Sequence, residues 1–155
     1  MNIYFPDEEI LVNDLLFMCY MIERVARKVK QPNKYVVKCI GREQLMHLIS
    51  VANVLHSRNP LQVESEWIDQ YNIETGEYDV ENVDSSLCEN IPSAMDIGKV
   101  YTRLIVDTSN KEETFVDGLI RVYNHDICQI IDNYNASAYY EPSYVIERAY
   151  YNGGF

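Results

Sequence analysis

Apolar residues recur at steps of three and four along every long segment of this chain, and no stretch alternates convincingly between apolar and polar residues. The first segment shows the pattern well, with an apolar line through Leu11, Leu15, Met18, Ile22 and Val25. Such steps place side chains on one face of an α-helix, whereas a half-buried strand requires a period of two. The sequence therefore predicts an all-α fold, a single-domain bundle of six or seven helices over residues 1–155.

Start and stop signals give the predicted helix boundaries. Pro6 suits the first helical position, and Gly41 suits a helix end or a tight turn. Asn59 before Pro60, and Ser93 with Asp96 three residues later, are typical N-terminal caps. The predicted helices are 6–30, 32–40, 43–55, 60–71, 94–108, 110–134 and 142–151.

Residues 73–92 interrupt the helical pattern. Between Glu64 and Asp96 the chain has ten acidic residues and no basic one. An irregular segment of this length is uncommon in a compact domain and is usually functional or disordered. We predict a long acidic loop over 73–92, with a single strand near Glu77–Val80 as the alternative, and a flexible tail over 152–155.

The charges are segregated along the sequence. The net charge is −11, which disfavours non-specific binding to nucleic acid or to an anionic membrane. Seven of the thirteen basic residues nevertheless fall between positions 24 and 42. Two interpretations stay open: a patch for a phosphate-bearing or acidic partner, or cations that pair with the acidic loop or face solvent, which we favour. The proposed patch comprises Arg24, Arg27, Lys28, Lys34, Lys38 and Arg42.

Candidate catalytic residues are few. His47 and His56 are nine residues apart and would lie on opposite faces of a helix. Glu43 with His47 supplies only two ligands for zinc, and Cys128 near His125 has the apolar neighbours of a core residue. The chain also lacks the common nucleophile, zinc-protease and phosphate-loop motifs. We therefore expect no enzymatic activity, no metal and no cofactor.

The cysteine pattern and the hydropathy indicate the cellular compartment in which the protein works. Four cysteines occur without a CxxC pair, and no run is long or apolar enough to span a membrane. The N-terminus does not resemble a secretory signal. We therefore expect free thiols in a reducing cytoplasm.

Tyrosine is the outlier in composition, with 13 among 155 residues. Tyr123 and Tyr134 fit the core pattern of the long 110–134 segment. The five that follow lie beyond that segment, and aromatic residues with a polar end are enriched at protein interfaces. Either they dock a partner, or they pack on the bundle. The candidate partner-binding residues are Tyr139, Tyr140, Tyr144, Tyr150 and Tyr151.

Several segments together resemble a family of small, uncharacterised bacterial proteins. They are residues 17–28, 33–37, 40–41, 52–56, 96–101 and 132–135. Proteins of that family are encoded beside small ADP-ribosyltransferase-like genes, an arrangement similar to a toxin–antitoxin pair. The resemblance implies a partner-binding protein and carries no catalytic residues.

The sequence and the resemblance together lead to one functional expectation and its alternatives. We expect a non-enzymatic, protein-binding protein, an antitoxin-like inhibitor whose acidic, tyrosine-bearing face covers a partner's active site. Its partner would be the product of the neighbouring gene, with a second copy of the chain as another partner. The alternatives are a nucleic-acid-binding regulator using residues 24–42 and, more weakly, an enzyme built around His47 or His125.

Overall fold

Eight α-helices and two short 3₁₀ turns make up the fold, and no strand occurs within residues 2–5 and 7–155, which the computed structural model describes. The two turns are Tyr134–Ala136 and Ala138–Tyr140. The helices are α1 (Val12–Val29), α2 (Asn33–Ser50), α3 (Ala52–Leu55), α4 (Pro60–Gln70), α5 (Ala94–Thr108), α6 (Phe115–Tyr123), α7 (Ile127–Ile131) and α8 (Ser143–Asn152). The predicted all-α class is confirmed.

Helix α1 starts later than the sequence predicted. Its first residue is Val12, and Leu11 before it has an extended backbone. The Asp14 carboxylate accepts a hydrogen bond from the Leu11 amide at 2.8 Å, which satisfies one of the free amides at this helix end. The acidic residues 7–9 therefore precede the helix, and Pro6 lies outside the described residues.

Gly41 bends α2, as the sequence predicted. Its φ of 80° and ψ of 160° are not helical, so the two halves of α2 run in different directions. A positive φ favours glycine, which has no Cβ to clash with the backbone. The end of this segment was predicted wrongly, because Val51 interrupts the helix and α3 is a separate turn.

The predicted helix 110–134 is broken into α6, α7 and a 3₁₀ turn. The Asn124 side chain donates to the Ile120 carbonyl at 2.8 Å, and Nδ1 of His125 accepts from the Ile127 amide at 2.9 Å. Such local side-chain bonds compete with the backbone bonds of a continuous helix. Apolar spacing alone did not reveal this break.

Helix α1 lies at the centre of the core and packs most extensively against α5. Leu15, Met18 and Ile22 of α1 have no exposed surface. Gly98 of α5 permits the close approach, because a Cβ there would lie 3.1 Å from backbone atoms of Tyr20. No helix in the described ranges is long and apolar enough to cross a bilayer.

The acidic loop 73–92 lies across the C-terminal end of α1. The amide of Gly76 donates to the Val29 carbonyl at 2.7 Å, and the amide of Tyr78 donates to the Lys30 carbonyl at 2.9 Å. Further along, the Asp84 amide donates to the Asn135 side chain at 2.9 Å. The loop is thus bonded to both the first helix and the C-terminal third of the chain.

Candidate functional site

Three of the five predicted partner-binding tyrosines lie on the surface. The exposed fractions are 81% for Tyr140, 62% for Tyr144 and 63% for Tyr151. Tyr139 is half-buried, and its ring meets Tyr134 edge-on at 5.4 Å between centroids. These residues follow α7 in the 3₁₀ turn 138–140 and in α8.

Tyr150 belongs to the core, which corrects its assignment as a partner-binding residue. It is 8% exposed, and its hydroxyl accepts a hydrogen bond from Arg121 at 2.8 Å. Its ring lies against His125, with 4.1 Å between centroids. Ile146 and Ala149 of the same helix are also buried, so the bundle does not close without α8.

A surface groove adjoins Tyr139 and Tyr140. Its larger part is a cavity of about 680 Å³ between the start of α1, the outer side of α5 and α8. The smaller part, about 320 Å³, lies between Ile91 of the loop, α5 and Tyr140. The two parts share the lining residues Lys99, Val100 and Tyr139, so they form one continuous depression, called here the α5 groove.

The α5 groove combines apolar walls with a slight excess of negative charge. Val12 is 48% exposed and Ile91 is 40% exposed, and both line it. Its charged lining consists of two cations and three carboxylates: Lys99, Arg103, Asp96, Asp107 and Glu141. An apolar centre with a polar rim is the usual composition of a protein interface.

A second aromatic feature lies on α8. Tyr144, Arg148 and Tyr151 follow one another at steps of four and three, so they share one side of the helix. All three are exposed, and the Arg148 guanidinium lies 5.9 Å from the centre of the Tyr144 ring. This α8 stripe places two tyrosine rings and a cation at the surface.

Four of the basic residues between 24 and 42 form ion pairs within the chain. Arg24 meets Glu64 at 3.0 Å, Lys30 meets Asp79 of the loop at 3.1 Å, and Arg42 meets Asp117 at 2.7 Å. Arg27 lies 3.2 Å from Glu23 and 4.0 Å from Glu81 of the loop. Pairing with internal carboxylates, including those of the acidic loop, thus accounts for these cations.

Lys28, Lys34 and Lys38 are the remaining members of the predicted basic patch. All three are exposed, and none forms an ion pair with a residue that the structure describes. Three solvated lysines are a weaker positive surface than the seven cations of the sequence suggested.

The histidine and cysteine candidates do not form a catalytic pair. Nδ1 of His125 accepts from a backbone amide, and Sγ of Cys128 donates to the Val122 carbonyl at 3.1 Å. Burial raises the pKa of Cys128 to about 12, so the thiol keeps its proton at neutral pH. In the described part of the chain no three His, Cys, Asp or Glu residues come together as metal ligands.

A buried polar cluster, which the sequence analysis missed, lies between α1 and the C-terminal segments. Oε1 of Glu23 accepts from the Tyr134 hydroxyl at 2.8 Å and from Arg27 at 3.2 Å. Asp132 accepts from the Tyr101 hydroxyl at 2.7 Å and from the side-chain amide of Asn33 at 3.3 Å. The only signal in the sequence was a glutamate at a core position of the first helix.

The cluster perturbs its ionisable groups strongly. Burial, together with the nearby charge of Glu23, raises the pKa of Asp132 well above its usual range, and Arg27 offsets this only in part. Oε2 of Glu23 is buried and has no hydrogen-bond partner among the residues that the structure describes. Two carboxyl groups thus share a buried region with a single guanidinium.

Comparisons with protein-family models, curated proteins and solved structures gave no match.

Proposed function

We propose that this protein binds another protein and inhibits it, as an antitoxin-like factor in the cytoplasm that covers its partner's active site. The α5 groove, with Tyr140 at one end, is the contact surface. The single observation that carries the proposal is the continuity of this groove with exposed aromatic and aliphatic side chains. Exposed apolar patches of this kind on a small protein typically mark interaction sites.

The shape of the α5 groove suits a protruding apolar segment of a partner. Its two parts measure about 680 and 320 Å³ and lie side by side along α5. Aromatic anchors near the centre of an interface contribute most of its binding energy. Tyr139 supplies a half-buried ring between the two parts, and Tyr140 supplies a ring that is almost fully exposed.

The charge of the protein favours a basic partner. The net charge is −11, and the groove itself carries one more carboxylate than cation. Complementary charge raises the rate of association more than it raises affinity. The partner's contact surface is therefore apolar at its centre and basic at its rim, as around a cleft that holds a phosphate-bearing substrate.

Co-purification with the product of the neighbouring gene tests this proposal. The wild-type protein, tagged and co-expressed, should retain that product and suppress its activity. Ile91→Arg should abolish or strongly weaken retention, because it puts a cation into the groove opposite a basic partner. Leu87→Arg is the matched control, since Leu87 is 60% exposed on the same loop and does not line the groove.

Point substitutions are preferable to removal of the C-terminus. Truncation after Ser137 would delete the buried side chains of α8, so lost binding would report unfolding as well as lost contacts. Tyr140→Ala, at an 81% exposed position, removes a ring without opening the core. Failure of the wild type to retain the neighbouring product, or equal retention by wild type and Ile91→Arg, would contradict the proposal.

A further inference from the structure

A small polar cavity opens beside the buried cluster, away from the α5 groove. It measures about 200 Å³ and lies between the loop at residues 78–83 and the segment 129–135. Three residues with carboxamide side chains line it, Asn82, Gln129 and Asn133, and none of these side chains forms a hydrogen bond with another described residue. Tyr78 and Tyr134 also line it.

Asp132 is the one lining carboxylate that is buried. It is 7% exposed, and Asp79, the other lining carboxylate, lies at the surface. Each oxygen of Asp132 accepts one hydrogen bond, from Tyr101 at 2.7 Å and from Asn33 at 3.3 Å. A carboxylate has about four acceptor sites, so Asp132 retains capacity for further donors.

None of the described residues that line this cavity is Lys or Arg. Arg27, the nearby guanidinium, donates to Glu23, to the Tyr134 hydroxyl and to the Pro92 carbonyl, and Lys30 pairs with Asp79. Ionising the buried Asp132 carboxyl without a counter-charge of its own is costly, which is why burial raises its pKa. A bound cation with N–H donors would relieve that cost and favour the ionised form, with release of the proton.

We infer that this cavity binds a small organic cation that carries N–H donors, a guanidinium or primary ammonium compound. Asp132 would accept its charge-assisted hydrogen bonds, and the carboxamide oxygens of Asn82, Gln129 and Asn133 would accept from its remaining N–H groups. The ring of Tyr78, a residue with much of its surface exposed, provides aromatic surface of the kind that binds cations. Anions are disfavoured because acidic residues line the cavity and no Lys or Arg does, and no three His, Cys, Asp or Glu residues come together there as metal ligands among the described residues.

NMR of the side-chain amides tests this inference, because three carboxamides report directly on the cavity. Methylguanidinium chloride is titrated against the whole protein, with sodium chloride keeping the ionic strength constant. We expect saturating shifts of the Asn82, Gln129 and Asn133 amide signals, and no saturation with tetramethylammonium, which has the charge but no N–H group. Absence of saturation with methylguanidinium, or an equal response to tetramethylammonium, would overturn the inference.

Two variants locate the binding. Asp132→Asn should weaken methylguanidinium binding about tenfold or more, because it removes a charge-assisted acceptor. Asn82→Trp fills the exposed mouth of the cavity and should abolish the shifts of the Gln129 and Asn133 amide signals. This second variant tests the site even if Asp132→Asn does not fold. Ser85→Trp, at an exposed position of the same loop outside the cavity, should bind like the wild type. Unchanged binding in Asn82→Trp would refute the site.

Discussion

The hydroxyl of Tyr134 donates a 2.8 Å hydrogen bond to the buried carboxylate of Glu23, which lies 111 residues earlier in the chain. The same hydroxyl accepts from Arg27 at 3.0 Å, so a single phenol connects a carboxylate and a guanidinium of α1 to the C-terminal segment. The adjacent loop is joined to the same group, because Arg27 also donates to the Pro92 carbonyl at 2.8 Å.

Replacing Tyr134 by Phe should destabilise the protein. The substitution keeps the ring and removes the hydroxyl that supplies one of the two donors to Oε1 of Glu23. Weakening the hydrogen bonding of a buried charge costs about 1–3 kcal/mol of the free energy of unfolding. Urea denaturation measures the change, and Tyr144→Phe, at a 62% exposed position, is the control that should remain near wild type. Equal midpoints for the two variants would show that the cluster adds nothing to stability.

The stability difference between wild type and Asp132→Asn should depend on pH. Burial raises the pKa of Asp132 well above its value in the unfolded chain, which is about 3.9. At a pH below that value the Asp132 carboxyl is protonated in both states. At a higher pH it ionises first in the unfolded state, which lowers the free energy of that state and so lowers the stability of the fold. The Asp132 contribution to stability is therefore lost as the pH rises from the unfolded pKa towards the folded pKa.

The asparagine that replaces Asp132 does not ionise. The free energy of unfolding of the variant should therefore rise relative to that of the wild type as the pH is raised from about 4 to about 8. Urea unfolding of both proteins across that range measures the trend, and comparing them removes the titration of all other groups that the substitution leaves unchanged. A difference that is constant with pH would mean that the Asp132 carboxyl titrates normally in the folded protein.

Gly98→Ala should destabilise the protein although alanine favours helices. Alanine is about 1 kcal/mol more favourable than glycine for the free energy of helix formation at an interior position. The new Cβ would lie 3.1 Å from backbone atoms of Tyr20, so α1 and α5 must separate slightly. Overpacking of this kind costs about 1–3 kcal/mol and should outweigh the gain. A higher melting temperature for Gly98→Ala than for wild type would refute this close contact.

The protein should show no measurable binding to duplex DNA or RNA at physiological salt. Arg24, Arg27, Lys30 and Arg42 are paired with carboxylates, and the whole chain carries −11. A gel shift over a range of salt concentrations checks this, because binding through phosphates weakens steeply with salt. Tight, salt-sensitive binding that Lys34→Glu abolishes would instead support the nucleic-acid-binding alternative.

Local patterns predicted some parts of this fold well. The Ser93 cap is present as expected: its hydroxyl accepts from the Asp96 amide at 3.0 Å, and the Asp96 carboxylate accepts from the Ser93 amide at 3.2 Å. The kink at Gly41 and the buried positions of Tyr123 and Tyr134 are also confirmed. These features depend on neighbours within about one helical turn or on apolar spacing, and both kinds of signal can be read from a single sequence.

The features that were missed depend on contacts between distant segments. Glu23 and Asp132 are separated by much of the chain, and only the folded arrangement brings their carboxyl groups into one buried region. Tyr150 was named as a candidate partner-binding residue because it follows the long apolar segment, whereas its side chain is buried and its hydroxyl accepts a hydrogen bond from Arg121. The α5 groove likewise combines α1, α5, α8 and the loop, and no local pattern predicts which of them meet.

Hydrogen bonds hold the acidic loop to the rest of the fold on both sides of an exposed stretch, so the chain can be cut within that stretch. The loop exposes Ser85, Ser86 and Leu87. This stretch lies between Asp84, which is hydrogen-bonded to Asn135, and Pro92, which is hydrogen-bonded to Arg27. A break in the chain there would leave two fragments that each hold part of the Glu23–Tyr134 cluster. The fragments would complete their hydrogen bonds only by reassociating, which makes this position suitable for a split version of the protein whose reassembly can report on proximity in a cell.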